Sequence, residues 1–332
     1  MHNLSLLPSS PTYLFLYLLA RCLVAFGQDN NGEVDLTKTP LHYIPSKSWA
    51  LISAGCYIFT IVVCIIWSMR HWGRYMLAII IGASFYAGGL LLRIVYAQEP
   101  TSVMKYASMN LIILLSPCGF IAGVYMLLSR LAFHLNAVDH LALSPRWLTK
   151  IFVTSDIFTF FVQATGGGLT AMDDPDKRDM GKKLFVGGLV AQLISFLLYT
   201  LIFALFVNRV RTQMTIEWNN PALFVNRVRT QMTIEWNNRP NGLMRHWLAL
   251  VIAMAISCVA IIIRSIFRTM ENVQGRDSDL ATKEGYFYVL DCFVLWISIS
   301  VFIVVWPPRY LTGYNPAWKE SRVELTSTRY GA

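Results

Sequence analysis

Charge is what this 332-residue chain has least of: Asp, Glu, Lys and Arg make up 14% of it against 55% hydrophobic residues, and its mean hydropathy is positive. Ordinary soluble domains carry about 25% charged residues, so the scarcity argues against a soluble fold and the apolar abundance argues against disorder. Three missing motifs narrow the chemistry. No GxxxxGK[ST] loop is present and the length leaves no room for a nucleotide-binding domain, so neither a nucleotide partner nor an ATP-driven pump is expected. The six cysteines, Cys22, Cys56, Cys64, Cys118, Cys258 and Cys292, all lie in apolar runs and form no CxxC pair, which reads as core packing rather than a disulfide framework or metal site. The six histidines all fall outside the spanning runs, so a membrane zinc hydrolase of the ceramidase type lacks ligands inside the bilayer. No cofactor, metal, catalytic residue or enzymatic activity is expected.

What is present is long apolar runs. Seven of them, at 49–68, 76–96, 106–129, 148–167, 184–207, 247–267 and 286–306, are long enough to cross about 30 Å of hydrocarbon as helices. The fold class is therefore all-α, a polytopic membrane protein with a seven-helix transmembrane bundle over 49–306. A shorter run at 13–26 is interrupted by Arg21 and followed by polar residues, so 1–27 reads as a signal sequence and 28–48 as an extracellular segment. The formal charge of +9 invites a nucleic-acid reading, but the basic residues flank apolar runs, and no nucleic-acid partner follows. Alternate loops and the tail at 307–332 hold 15 cations, from Arg70 and Arg74 to Arg329, against five acids. Those loops face the cytoplasm by the positive-inside rule, which puts the N-terminus outside and the C-terminus inside.

Residues 204–220 recur without change at 222–238. Repeats that share only packing positions drift, so 17 identical residues point to a recent tandem duplication or a gene-model error. The second copy opens with only four apolar residues and cannot span, so it belongs to the cytoplasmic loop, as an interfacial amphipathic helix or an irregular segment.

Ionisable groups inside spans are costly and mark the bundle interior. In the fourth span Asp156 and Gln163 share a helical face that ends in Gly166, Gly167 and Gly168. In the sixth, Arg264, Arg268 and Glu271 fall at i, i+4 and i+7, one face again. Asp291 of the seventh span lies about 8 Å below the outer end and Arg264 about 26 Å from the cytoplasmic start of its helix, which brings the two to one level. Arg93 and Gln192 occupy the same outer half. Two readings stand for this polar layer: a buried Arg264–Asp291 ion pair with glutamine hydrogen bonds that hold the bundle together, or a headgroup site for an amphipath whose tail stays in lipid. Gly88, Gly89, Gly187 and Gly188 read as points of close helix approach.

At these residues the chain resembles the fungal lipid-translocating exporter family, the Rta-like proteins associated with resistance to aminocholesterol and release of sphingoid long-chain bases. The stretches that carry the resemblance are LIILLSPCGFIAGVYMLLSRL at 111–131, IFVTSDIFTFFVQATGGGL at 151–169, GLVAQLISF at 188–196, RSIFRTMENVQG at 264–275 and EGYFYVLD at 284–291. The resemblance implies a plasma-membrane exporter or translocator of lipids such as sphingoid bases or sterol-like amphipaths. It points to Asp156, Gln163, the triple glycine, Gln192, Arg264, Arg268, Glu271, Tyr288 and Asp291, with Arg93, as the positions that bind or pass substrate. Two positions depart: the acid the family tends to show in the second span is replaced here by Tyr86, and the His-Pro that closes the last span is Trp306-Pro307. The competing expectation is a seven-helix sensor or receptor of lipid stress without transport, although the third span ends LSRLAFHL rather than in Asp-Arg-Tyr.

Overall fold

The computed structural model describes residues 41–311 other than 42, 44, 72, 136, 138–140, 142, 171, 173, 220–246 and 276–277. The expected signal sequence, most of the expected extracellular segment, the second repeat copy and nearly all of the tail lie outside the described residues. Within them the chain forms seven long helices and no strand: α1 (Lys47–His71), α2 (Leu77–Tyr96), α3 (Val103–His134), α4 (Pro145–Thr170), α5 (Pro175–Asn219), α6 (Trp247–Gln274) and α7, which runs from Glu284–Tyr286 through a π-helical stretch, Phe287–Phe293, into Val294–Val304. Each packs on the next in sequence, and α7 returns to α1, so the ring of helices closes.

The ends follow local chemistry. Asp174 Oδ1 accepts the Asp176 amide at 3.2 Å ahead of Pro175, which has no N–H to leave unpaired at the start of α5. Gly275, at φ 85°, takes the left-handed conformation that closes α6. Pro307 and Pro308 stop α7, because neither has an amide to continue it. The first copy of the repeat extends α5 to Asn219, well past the last residue of the predicted span.

The bundle is dressed for lipid. Leu51, Phe59, Val62 and Ile66 of α1, Leu198 and Leu201 of α5, Val259 and Ile263 of α6, and Val289 and Phe293 of α7 all stand exposed, while Arg93, Arg264, Arg268, Asp156 and Asp291 are buried. A polar inside under an apolar outside inverts what water would select. Six of the helices, all but α4, are long and apolar enough to cross a membrane, and the chain is an integral, multi-pass membrane protein. α4 is long enough at 26 residues, but Asp156, Gln163 and its glycines dilute its hydropathy. It too exposes Ile157, Phe158 and Phe161 and buries Asp156, Thr159 and Gln163.

Small residues set the closest approaches. A Cβ on Gly119 would lie 2.8 Å from the Gly82 Cα, and one on Gly166 would lie 2.6 Å from the Phe185 amide nitrogen, so α3 meets α2 and α5 meets α4 backbone to backbone. One glycine of each predicted pair behaves the same way: Gly89 faces Ile113 and Gly188 faces Gln163, whereas Gly88 and Gly187 face open space. Gly166→Ala and Gly119→Ala are expected to cost about 1–3 kcal/mol through overpacking. Gly168→Ala, with nothing within 4 Å, is expected to be neutral or to gain up to about 1 kcal/mol from helix propensity. Thermal denaturation of the detergent-solubilised variants measures the ranking, and equal melting temperatures would refute it.

Candidate functional site: a buried ion cluster and a separate carboxyl

Asp291 sits at the centre of the polar layer, fully buried, at 0% exposure. It lies in the π-helical stretch of α7, where the wider turn alters which way side chains point, and the Tyr57 hydroxyl donates to the nearby Cys292 carbonyl at 2.8 Å. Two guanidiniums from one face of α6 converge on it: Arg264 Nε is 2.5 Å from Oδ1, and Arg268 Nη2 donates to Oδ2 at 2.5 Å. The Arg264 N–H is not aligned on its oxygen, so that contact is mainly Coulombic. Tyr86 of α2 donates its hydroxyl to Oδ2 at 3.2 Å. The predicted Arg264–Asp291 pair therefore forms, and it is half of a larger arrangement. Arg268 also donates to Glu271 at 3.1 Å, so the whole i, i+4, i+7 face of α6 is engaged.

Arg264 has a second partner that α3 supplies. Pro117 lies inside α3 and has no N–H, so the Ile113 carbonyl four residues earlier receives no helical hydrogen bond from it; Arg264 Nη2 donates to that carbonyl at 3.4 Å. A proline that weakens one helix thus feeds the cluster.

Arg93 belongs to an adjoining network at the same end of the bundle. It pairs with Glu284 at 3.3 Å and donates to the Tyr43 hydroxyl at 2.5 Å, while both Glu284 oxygens accept the Ser46 amide at 3.0 Å. Burial pushes the Tyr43 phenol pKa up against the pull of Arg93, which keeps it a neutral acceptor. The guanidinium stacks over Phe287 at 4.1 Å and lies 5.5 Å from the Tyr288 ring centroid. Three buried arginines thus face three carboxylates, Asp291, Glu271 and Glu284, and the charge closes on itself. Sequence reasoning missed Glu284, Tyr43, Tyr86 and Pro117. Tyr86 stands where the family tends to show an acid, and its hydroxyl supports Asp291 where a second carboxylate would repel it.

The remaining predicted residues form a second group between α4, α5 and α3. Gln163 donates to Gln192 at 2.9 Å, and Gln192 donates to the Cys118 sulfur at 3.6 Å, which gives that thiol a polar contact beyond core packing. Among the described residues the cysteines Cys56, Cys64, Cys118, Cys258 and Cys292 are free. Of the triple glycine, Gly166 is packed hard on α5, Gly167 touches only the Phe185 ring and Gly168 touches nothing within 4 Å. Asp156 is 2% exposed, and neither of its carboxyl oxygens has a hydrogen-bond partner. The Tyr125 hydroxyl approaches it as a hydrogen-bond donor, but not in aligned geometry.

A family model described as RTA1 like protein matches residues 79–314, more than two thirds of the chain. The Saccharomyces cerevisiae Protein RTA1 is 26% identical over 247 residues, covering 72% of this chain and 69% of that one. Protoporphyrin uptake protein 1 of the same yeast is 26% identical across 67% of this chain and 65% of its own length. A sphingoid long-chain base transporter, RSB1, of strain Lalvin EC1118 is 25% identical across 68% of this chain and 64% of its own. No solved structure matches the chain. With a family match of that extent over the helices that carry both polar groups, the chain belongs to the RTA1-like protein family, the one its motifs resemble.

Proposed function

We propose that this protein exports or flips amphipathic lipids, of the sphingoid-base or sterol-like kind, at the plasma membrane, as a transporter rather than an enzyme. The observation that carries the reading is the named role of the RSB1 relative as a sphingoid long-chain base transporter, together with an interior polar layer under an apolar surface. The topology proposed with it is seven spans, α4 included, with the N-terminus outside and the C-terminus cytoplasmic. The exposed apolar and buried polar faces of α4 support its place as a span. A headgroup would meet Arg93, Asp156, Gln163, Gly166 to Gly168, Gln192, Arg264, Arg268, Glu271, Tyr288 and Asp291 on the bundle's inner faces, while its tail stays in lipid.

Expressed at the surface of a host lacking its own exporter, the chain is expected to raise tolerance of a toxic long-chain base and to speed efflux of the labelled base. Surface protein with neither effect would remove the transport reading and leave the lipid sensor.

Within that function the Asp291 cluster holds the helices. Asp291→Asn strands the buried Arg264 guanidinium and leaves Arg268 with Glu271 alone, and is expected to cost about 3–5 kcal/mol, read as lost surface protein and a lowered melting temperature in detergent. Arg264→Met leaves Asp291 paired with Arg268 and is expected to be the milder change. The charge swap of Arg264 and Asp291 should fail to rescue, because an arginine placed at 291 meets Arg268. Full rescue by the swap would show that the two residues act as an isolated pair.

A further inference from the structure

The three carboxylates of the ion cluster each have a guanidinium; Asp156 has none. It lies on the inner face of α4 at 2% exposure, with no aligned hydrogen bond to either oxygen among the described residues and the neutral Tyr125 hydroxyl as its polar neighbour. An ionised carboxylate in that condition is far too costly to persist, and such a group takes up a proton instead. The surroundings decide which cation can do this. The Tyr125 ring is packed by Phe152 at 5.4 Å, Phe196 at 6.4 Å and Tyr199 at 4.3 Å. Phe152 is one helical turn from Asp156 on α4. The Tyr199 hydroxyl is committed to the Val124 carbonyl at 3.0 Å, and the Thr159 hydroxyl to the Asp156 main-chain carbonyl at 3.0 Å. A metal cation such as sodium needs several oxygen ligands, and this setting is mostly ring carbon. A proton needs one oxygen.

We propose that Asp156 is a proton-binding site of the bundle interior, protonated in the packing described here, where it is buried, and that release of this proton accompanies any opening of the bundle that exposes it to water. The O–H bond forms on one carboxyl oxygen, and on opening the proton passes to water and leaves the carboxylate. The titratable and charged groups that face the site are Tyr125 and Cys118 of α3, Tyr199 of α5 beyond Tyr125, and Arg264 of α6 beyond Cys118. Of these only Arg264 is a cation, and it is held by Asp291. Toward the C-terminal end of α4 the same face stays polar: Thr159 and Gln163 follow Asp156 at i+3 and i+7, both buried, and Gln163 continues into Gln192 and Cys118. The span from Asp156 to Gln163 is about 10 Å at the helical rise.

Difference infrared spectroscopy on the full chain reconstituted at neutral pH reads the site without any substrate. A protonated-carboxylic-acid C=O stretch is expected in the wild type and in Glu271→Gln, and is expected to be lost in the near-isosteric Asp156→Asn; its absence from the folded wild type would overturn the proposal. The coupling of this proton to movement rests on the transport reading and is tested separately, by flux of a fluorescent long-chain base across proteoliposomes with and without an imposed pH gradient. Flux that responds to the gradient in the wild type and ignores it in Asp156→Asn supports coupling, and equal responses overturn it. No flux from any protein would refute transport and coupling together, while the infrared band decides the proton site on its own.

Discussion

One carboxylate shared by two guanidiniums constrains the rest of this bundle. Asp291 brings α7 to Arg264 and Arg268 of α6 and to Tyr86 of α2, and through Arg264 it reaches the Ile113 carbonyl of α3. In low-dielectric surroundings each of these charges is tolerable only while the others stay in place, because losing one partner leaves a buried charge bare. The local backbone is bent to suit. α7 adopts a π-helical stretch around Asp291, and α3 gives up a helical hydrogen bond at Pro117; both are departures from regular helix that sit at the cluster. What the cluster supplies is therefore register between helices more than raw stability, since apolar packing could replace its energy but not its geometry.

The long helices and the meeting of Arg264 with Asp291 were readable in the sequence because both follow from simple periods. Seven apolar runs became seven long helices, and a rise of 1.5 Å per residue was enough to put Arg264 level with Asp291. Gln163 and Gln192 met for the same reason. The rest was hidden by where it lies. Glu284 and Tyr43 sit at the margin of the apolar runs, where a charge or phenol reads as topology or interface, and only the close of the ring brings them onto Arg93. Pro117 was visible in LSPCGF, and the carbonyl it leaves without a helical donor was deducible. Which side chain would take that carbonyl was not. The glycines show the limit most plainly: Gly166, Gly167 and Gly168 are the same letter three times, yet a Cβ would meet backbone at the first, a ring at the second and nothing within 4 Å at the third.

The two polar groups differ in what parting their helices entails. Separating α6 from α7 would strand Asp291 and Arg264 in an apolar medium and leave Arg268 with Glu271 alone, a cost of several kcal/mol per unpaired ion. Among the described residues the hydrogen bond that links α4 to α5 is a neutral amide bond, Gln163 to Gln192, worth about 1 kcal/mol net, beside glycine-mediated contact and the Phe152–Tyr199 ring contact at 5.8 Å. Charge therefore fastens one side of the bundle and neutral packing closes the other. The uncompensated carboxyl, Asp156, lies on the neutral side, where a change in its charge is not buffered by a standing counter-ion. A proton gained or lost there alters the balance between closed and open packing by the full cost of burying a carboxylate, whereas the same event at Asp291 would first have to break the pairs that define the fold. A bundle built this way has its paired charges on one seam and its unpaired carboxyl on another.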